Sequence, residues 1–162
     1  REAVSRSSRA VKTALLDQRA LAGVGNIYAD EALHRARLHP LRRCDSLDPG
    51  EWTRLARAVR DVLRQAIRGG GSTLRDYRNA EGGSGGFQSR HRVYGRVGEP
   101  CRRCGGSVVR LVIGQRSSHF CPCCQPRSTG VADRDRTDYP QATPRVRTRP
   151  VGPESVRVSG GN

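Results

Sequence analysis

The sequence predicts a mainly α-helical protein that ends in a small cysteine-stapled β-hairpin and a disordered basic tail. Three observations point there. Apolar residues recur at helical spacing through residues 52–67. Two Cys-x-x-Cys pairs, at 101–104 and 121–124, bracket a short run rich in Val, Leu and Ile. Beyond residue 125 the chain is Pro, Arg, Thr, Gly and Asp with few apolar side chains.

Taken in order, residues 1–10 read as a polar, basic arm. Val11 to Gln18 reads as a short helix with Val11, Ala14, Leu15 and Leu16 on one side. In Ala22-Gly23-Val24-Gly25-Asn26 two glycines flank one valine, which makes poor helix and marks a tight turn. Asn26 is placed to cap the next helix, about Ile27 to Arg37, with Ile27, Ala32 and Leu33 inward. Pro40 ends it, because the residue before proline disfavours the α region. Asp48-Pro49-Gly50-Glu51 is a start signal, with proline in the first turn and acids at the positive end of the helix. The longer helix that follows turns Trp52, Leu55, Ala56, Val59, Leu63, Ala66 and Ile67 inward and stops at Gly69-Gly70-Gly71. Arg54, Arg57, Arg60, Arg64 and Arg68 fall mostly on the other face, as ordinary solvated charge. Residues 72–90, with Gly82-Gly83-Ser84-Gly85-Gly86, read as a flexible loop or lid. The hairpin runs from Val108 to Ile113 and from Arg116 to Phe120, turning at Gly114-Gln115. The expected domains are thus an arm at 1–10, a helical domain with its loop at 11–90, a four-Cys finger at 91–125 and a disordered tail at 126–162.

The cysteine spacing carries the chemistry. Cys101, Cys104, Cys121 and Cys124 can converge on one zinc ion, each pair reaching it from a tight turn. Four sulfur ligands leave no open position, so the zinc is structural. Disulfides and a redox Cys-x-x-Cys are the alternatives, and two pairs at zinc spacing with no apolar, signal-like opening favour the metal. Cys123 sits inside the second pair and could compete as a ligand in place of Cys124; Cys44 reads as a small buried or loop residue. The formal net charge of +15 and a pI near 11.1 point to a polyanionic partner, nucleic acid before membrane, since no apolar run is long enough to span. Lys12 is the sole lysine among the 30 basic residues. The chain has no methionine and begins at Arg1, so it reads as a fragment. Its 35% hydrophobic content allows only a small core, one that needs a metal staple.

Leu15-Leu16-Asp17-Gln18 followed by Ala22-Gly23-Val24-Gly25-Asn26-Ile27-Tyr28-Ala29-Asp30-Glu31 resembles the helix–two-turn–helix motif of formamidopyrimidine-DNA glycosylases. The stretches 70–77, 93–96 and 98–101 are similar to the family's linking segment, and 115–125 to its zinc finger. GVGNIYADE and QRSSHFCP favour this branch over the related endonuclease VIII branch. The resemblance covers roughly residues 8–125. It implies a bifunctional glycosylase/AP lyase acting on oxidised purines in double-stranded DNA with an oxidised base or abasic site. It further implies a bacterial, cytoplasmic monomer associated with the nucleoid. Asn26 is similar to the family's phosphate-contacting asparagine. Arg116 resembles the finger arginine that grips phosphates and donates a proton in δ-elimination. Ser8 falls where a DNA-contacting basic residue is common, with Arg9 and Lys12 as neighbouring cations. The loop from Arg78 to Phe87 resembles the segment that folds over a flipped purine. The family's nucleophile, an N-terminal proline amine followed by glutamate, has no counterpart in Arg1-Glu2. The expectation is therefore a DNA-binding half, inactive alone, with a stand-alone zinc-dependent DNA-binding module as the second reading.

Overall fold

The computed structural model describes residues 2–70 and 87–127. Four helices, α1 (Glu2–Ser5), α2 (Val11–Leu15), α3 (Asn26–Ala36) and α4 (Pro49–Arg68), precede an antiparallel pair of strands, β1 (Val109–Ile113) and β2 (Arg116–Phe120). A helix–two-turn–helix region followed by a finger with a small hairpin is thus present. Most of the glycine-rich loop, at 71–86, and the tail from 128 lie outside the described residues.

Helix α4 starts where its signal lies. The Asp48 carboxylate accepts the Glu51 N–H at 2.7 Å, and the Glu51 carboxylate accepts the Asp48 N–H at 3.1 Å, with Pro49 opening the helix. Its buried stripe is Leu55, Ala58, Val59, Val62 and Ala66, packed mainly on α3. Trp52, Ala56 and Leu63 are half-buried. Ile67, expected inward, is 80% exposed; it sits one residue beyond the stripe, about 100° further round the helix.

Helix α2 is shorter than expected, ending at Leu15 and not Gln18. Local side-chain bonds win over further helix. Asp17 accepts the Arg19 N–H at 3.1 Å, while Gln18 donates to the Val24 carbonyl at 2.8 Å and accepts the Gly23 N–H at 3.1 Å. Gly23, at φ 84°, makes the turn between α2 and α3 possible. The expected arm does not project freely. Arg9 and Ser7 carbonyls each accept an N–H, from Cys44 and Asp45, at 3.0 Å, and Val4 packs on the helical core.

The finger is carried by the polar face of α3. Asp30 and Glu31 are both buried. Asp30 meets Lys12 Nζ at 2.6 Å through Oδ1, and its Oδ2 lies 2.9 Å from the His119 backbone nitrogen and 3.1 Å from His119 Nδ1. Glu31 accepts the backbone N–H groups of Arg92, Val93 and Tyr94 at 2.9 to 3.0 Å. Gln125, on the far side of the second cysteine pair, donates to the Leu38 carbonyl at 2.8 Å. Residues more than sixty positions apart in the chain are thereby fixed to one helix.

Removing one partner of a buried ion pair leaves the other charge uncompensated. Asp30→Ala is expected to destabilise the protein by about 3–5 kcal/mol, measured by denaturant unfolding. The partly exposed Arg35–Asp61 pair, at 3.5 Å, is the control; Asp61→Ala is expected to cost under about 1 kcal/mol. Equal effects at the two sites would contradict the role given to Asp30.

Candidate nucleic-acid interface and metal centre

The finger tip is a two-residue hairpin. Ile113 pairs with Arg116, and the turn residues Gly114 and Gln115 both have positive φ, 53° and 65°. That conformation matches the twist of the flanking strands and leaves Arg116 exposed at the tip. The next carbonyl, that of Ser117, accepts from two helical residues: Lys12 Nζ at 2.8 Å and Asn26 Nδ2 at 3.0 Å. Asn26 therefore does not cap α3. Gly25 occupies the cap position without a side-chain bond, and the Asn26 amide reaches across to the finger. Its Oδ1 is buried with no hydrogen-bond partner among the described residues.

A depression of about 250 Å³ lies beside Arg116, with Arg9, Thr13 and Asp17 on one side and Ile113 and Gly114 on the other. Arg9 pairs with Asp17 at 3.3 Å. Ser8 is exposed just before Arg9. Lys12 is 0% exposed. Burial lowers its pKa against the upward pull of Asp30. Its amine is thus spent inside the protein and is not presented at the surface. Of the four residues expected to face DNA, Asn26 and Lys12 both bond the Ser117 carbonyl beside the exposed Arg116, Lys12 from a buried position, and Ser8 is exposed next to Arg9.

The sulfurs of Cys101, Cys104, Cys121 and Cys124 all lie within 4.8 Å of one another. Each pair sits on a tight turn: the Gly105 N–H donates to the Cys101 carbonyl at 2.8 Å, and the Gln125 N–H to the Cys121 carbonyl at 2.9 Å. Burial raises the pKa of the Cys121 thiol and pushes that of Cys124 up to about 12. Such a group holds four thiolates only with a cation at its centre, and soft sulfur donors fit zinc. Cys123 is outside the group and exposed. A Cβ at position 106 would come 2.9 Å from its sulfur, so a larger residue than Gly106 would require the Cys123 side chain to shift. Cys44 is buried in the helical core.

Of the polar residues that join the helices to the finger, Lys12 and Asn26 stand out in the sequence, whereas Asp30, Glu31 and His34 carry no role of their own there. Asn26, Asp30 and His34 stand at i, i+4 and i+8, one face of one helix. That spacing is the signal, and the apolar residues of the same helix do not carry it. His34 is 0% exposed, with Nε2 3.4 Å from Cys101 Sγ. Burial first, and then the charges of Arg103, Arg92 and Arg96, lower its pKa to about 4.

Residues 1–78 match the formamidopyrimidine-DNA glycosylase H2TH domain, and residues 98–127 match the zinc finger found in FPG and IleRS. The chain belongs to the formamidopyrimidine-DNA glycosylase family. A formamidopyrimidine-DNA glycosylase of Thermomicrobium roseum is 58% identical over 118 residues, covering 72% of this chain and 41% of the relative. One of Thermus thermophilus is 59% identical over 121 residues, covering 74% and 45%. The crystal structure of MutM (Fpg) from Thermus thermophilus superposes with a TM-score of 0.74 at 55% identity, covering 78% of this chain and 48% of that one. Lactococcus lactis Fpg, in complex with abasic-site DNA, gives 0.73 at 38% identity, covering 78% and 46%. The chain thus spans under half the length of these glycosylases. The four-sulfur centre is the family's structural zinc site.

The ligand set is tested by metal stoichiometry. Cys104→Ser is expected to release the zinc, whereas Cys123→Ser is expected to keep one zinc per chain. Structural zinc sites contribute on the order of 10 kcal/mol to ordering their module, so the finger in Cys104→Ser is expected to lose its folded amide signals. Retention of zinc by Cys104→Ser, or its loss from Cys123→Ser, would reassign the fourth ligand.

Proposed function

We propose that this chain is the damaged-DNA-binding half of a base-excision glycosylase/AP lyase acting on oxidised purines, formamidopyrimidine and 8-oxoguanine, in duplex DNA. The observation that carries the reading is the meeting of Asn26 with the finger tip at the Ser117 carbonyl. An amide side chain at the N-terminus of an 11-residue helix is suited to an anion. An exposed arginine one residue from that carbonyl adds a charge-assisted bond. Two such groups, held side by side by different elements, suit neighbouring phosphates. Contacts to phosphate leave base sequence unread, as a protein that searches for lesions in any context requires. The net charge of +15 adds long-range attraction. Structures of relatives support the partner: Fpg or MutM has been seen with abasic-site, Fapy-dG and carbocyclic 8-oxo-G DNA.

In this reading Arg116 serves twice, as a phosphate clamp and as the proton donor of δ-elimination. The sole lysine takes no part as a nucleophile, because its amine is buried against Asp30. Lys12 instead positions the Ser117 carbonyl, and Arg9 supplies the cation that Ser8 lacks. The bacterial origin of the relatives fits action in the cytoplasm.

Arg116→Ala is expected to weaken binding to an abasic-site duplex by about 1–3 kcal/mol. The loss should be alike on duplexes of different sequence, and the log–log salt dependence should become shallower by about one unit. Titration by fluorescence anisotropy at several salt concentrations reads both. Unchanged affinity and slope would remove Arg116 from the interface.

A further inference from the structure

The geometry points to His34 as a positioning residue for the metal centre: its Nε2–H donates a hydrogen bond to the zinc-bound thiolate of Cys101. This inference rests on the zinc site and is independent of how DNA is bound. His34 belongs to α3, in the helical region, and Cys101 to the finger, 67 positions later. The ring is fully buried, and Nε2 lies 3.4 Å from Cys101 Sγ, a normal separation for a hydrogen bond to sulfur. The other nitrogen, Nδ1, is buried with no partner among the described residues.

That pairing decides the tautomer. With the proton on Nδ1, a buried N–H would go unpaired, and the bare lone pair of Nε2 would face a negatively charged sulfur. Both features are unfavourable. With the proton on Nε2, a charge-assisted N–H···S bond forms and only an acceptor lone pair is left over. Arg103, beside the ring, donates from its guanidinium to the His34 carbonyl at 3.2 Å. The Arg103 backbone nitrogen lies 3.5 Å from the same sulfur. Cys101 thus takes donors from its own turn and from α3, and residue 34 holds the first cysteine pair through both its ring and its carbonyl. Donors of this kind orient a metal ligand, spread its charge and tighten the site.

The consequence reaches the DNA-facing end. Asn26 and His34 are two turns apart on α3, so the helix that presents the amide to the finger tip is also bonded to the metal shell. Zinc occupancy and the placement of Asn26 are coupled through one rigid element.

The test uses the whole chain loaded with ¹¹³Cd in place of zinc and labelled with ¹⁵N-histidine. His34 is expected to show the Nε2–H tautomer, with scalar coupling between that proton and the cadmium through the Cys101 sulfur. An Nδ1–H tautomer with a bare Nε2, or absent coupling, would overturn the inference. A chain that takes up no cadmium would instead bring down the metal site itself, a distinguishable failure. Two variants extend the test. His34→Phe fills the space without a donor and is expected to weaken zinc about 10–100-fold in chelator competition. His34→Gln places an amide N–H near the Nε2 position and is expected to restore most of that loss. A Phe variant that binds zinc like the parent, or a Gln variant as weak as Phe, would show that His34 only fills space. If the Phe variant does not fold, the cadmium coupling in the parent decides.

Discussion

Two adjacent buried carboxylates on one short helix, Asp30 and Glu31, set how the finger sits on the helices. A carboxylate removed from water must find donors. Neighbouring positions on a helix point about 100° apart, so the two recruit different segments. Asp30 takes Lys12 from α2 and His119 from β2. Glu31 takes three successive N–H groups from residues 92–94. The chain leading into the finger and the second strand of the finger are therefore both anchored to α3. Without those anchors the hairpin has little to hold it: its own buried apolar cluster is Val93 and Val108 with three of the cysteines.

A module with so small a core depends on its metal and on its neighbours. The zinc gathers both cysteine pairs, and each pair is then tied to the α3 region, by His34 on one side and by Gln125 to Leu38 on the other. The tip inherits its position from this framework. The Ser117 carbonyl is pinned by Lys12 and Asn26, which leaves Arg116, the preceding residue, directed outward. The interior polar network and the outward-facing tip are two faces of the same construction. The Lys12–Asp30 pair explains why the sole lysine of an arginine-rich chain is not a surface cation.

Much of this was legible in the sequence, for identifiable reasons. The start of α4 was encoded within four residues by a reciprocal cap, and the hairpin turn by Gly114, which takes positive φ freely. Spacing narrowed the zinc ligands to Cys101, Cys104, Cys121 and either Cys123 or Cys124, and the sulfur that joins the group in space is that of Cys124. Local competition hid the end of α2, where Asp17 and Gln18 side chains bond to the turn and stop the helix. Long-range pairing hid the rest. Lys12 and Asn26 read as groups that face DNA, and Asp30 and His34 as ordinary polar residues of a short helix, because the partners that hold them lie far along the chain. Ile67 erred the other way: an apolar residue at near-helical spacing that the stripe of α4 does not include.

The claim that α3 and the finger form one body through buried polar bonds is tested most directly by native-state amide hydrogen exchange in the zinc-loaded, DNA-free protein. The N–H groups of Val93 and His119, held by Glu31 and Asp30, are the reporters. The expected result is protection equal to that of the buried core of α3, lost together with it as denaturant is raised. Exchange of Val93 and His119 by a separate, lower-energy opening, while α3 remains protected, would contradict it.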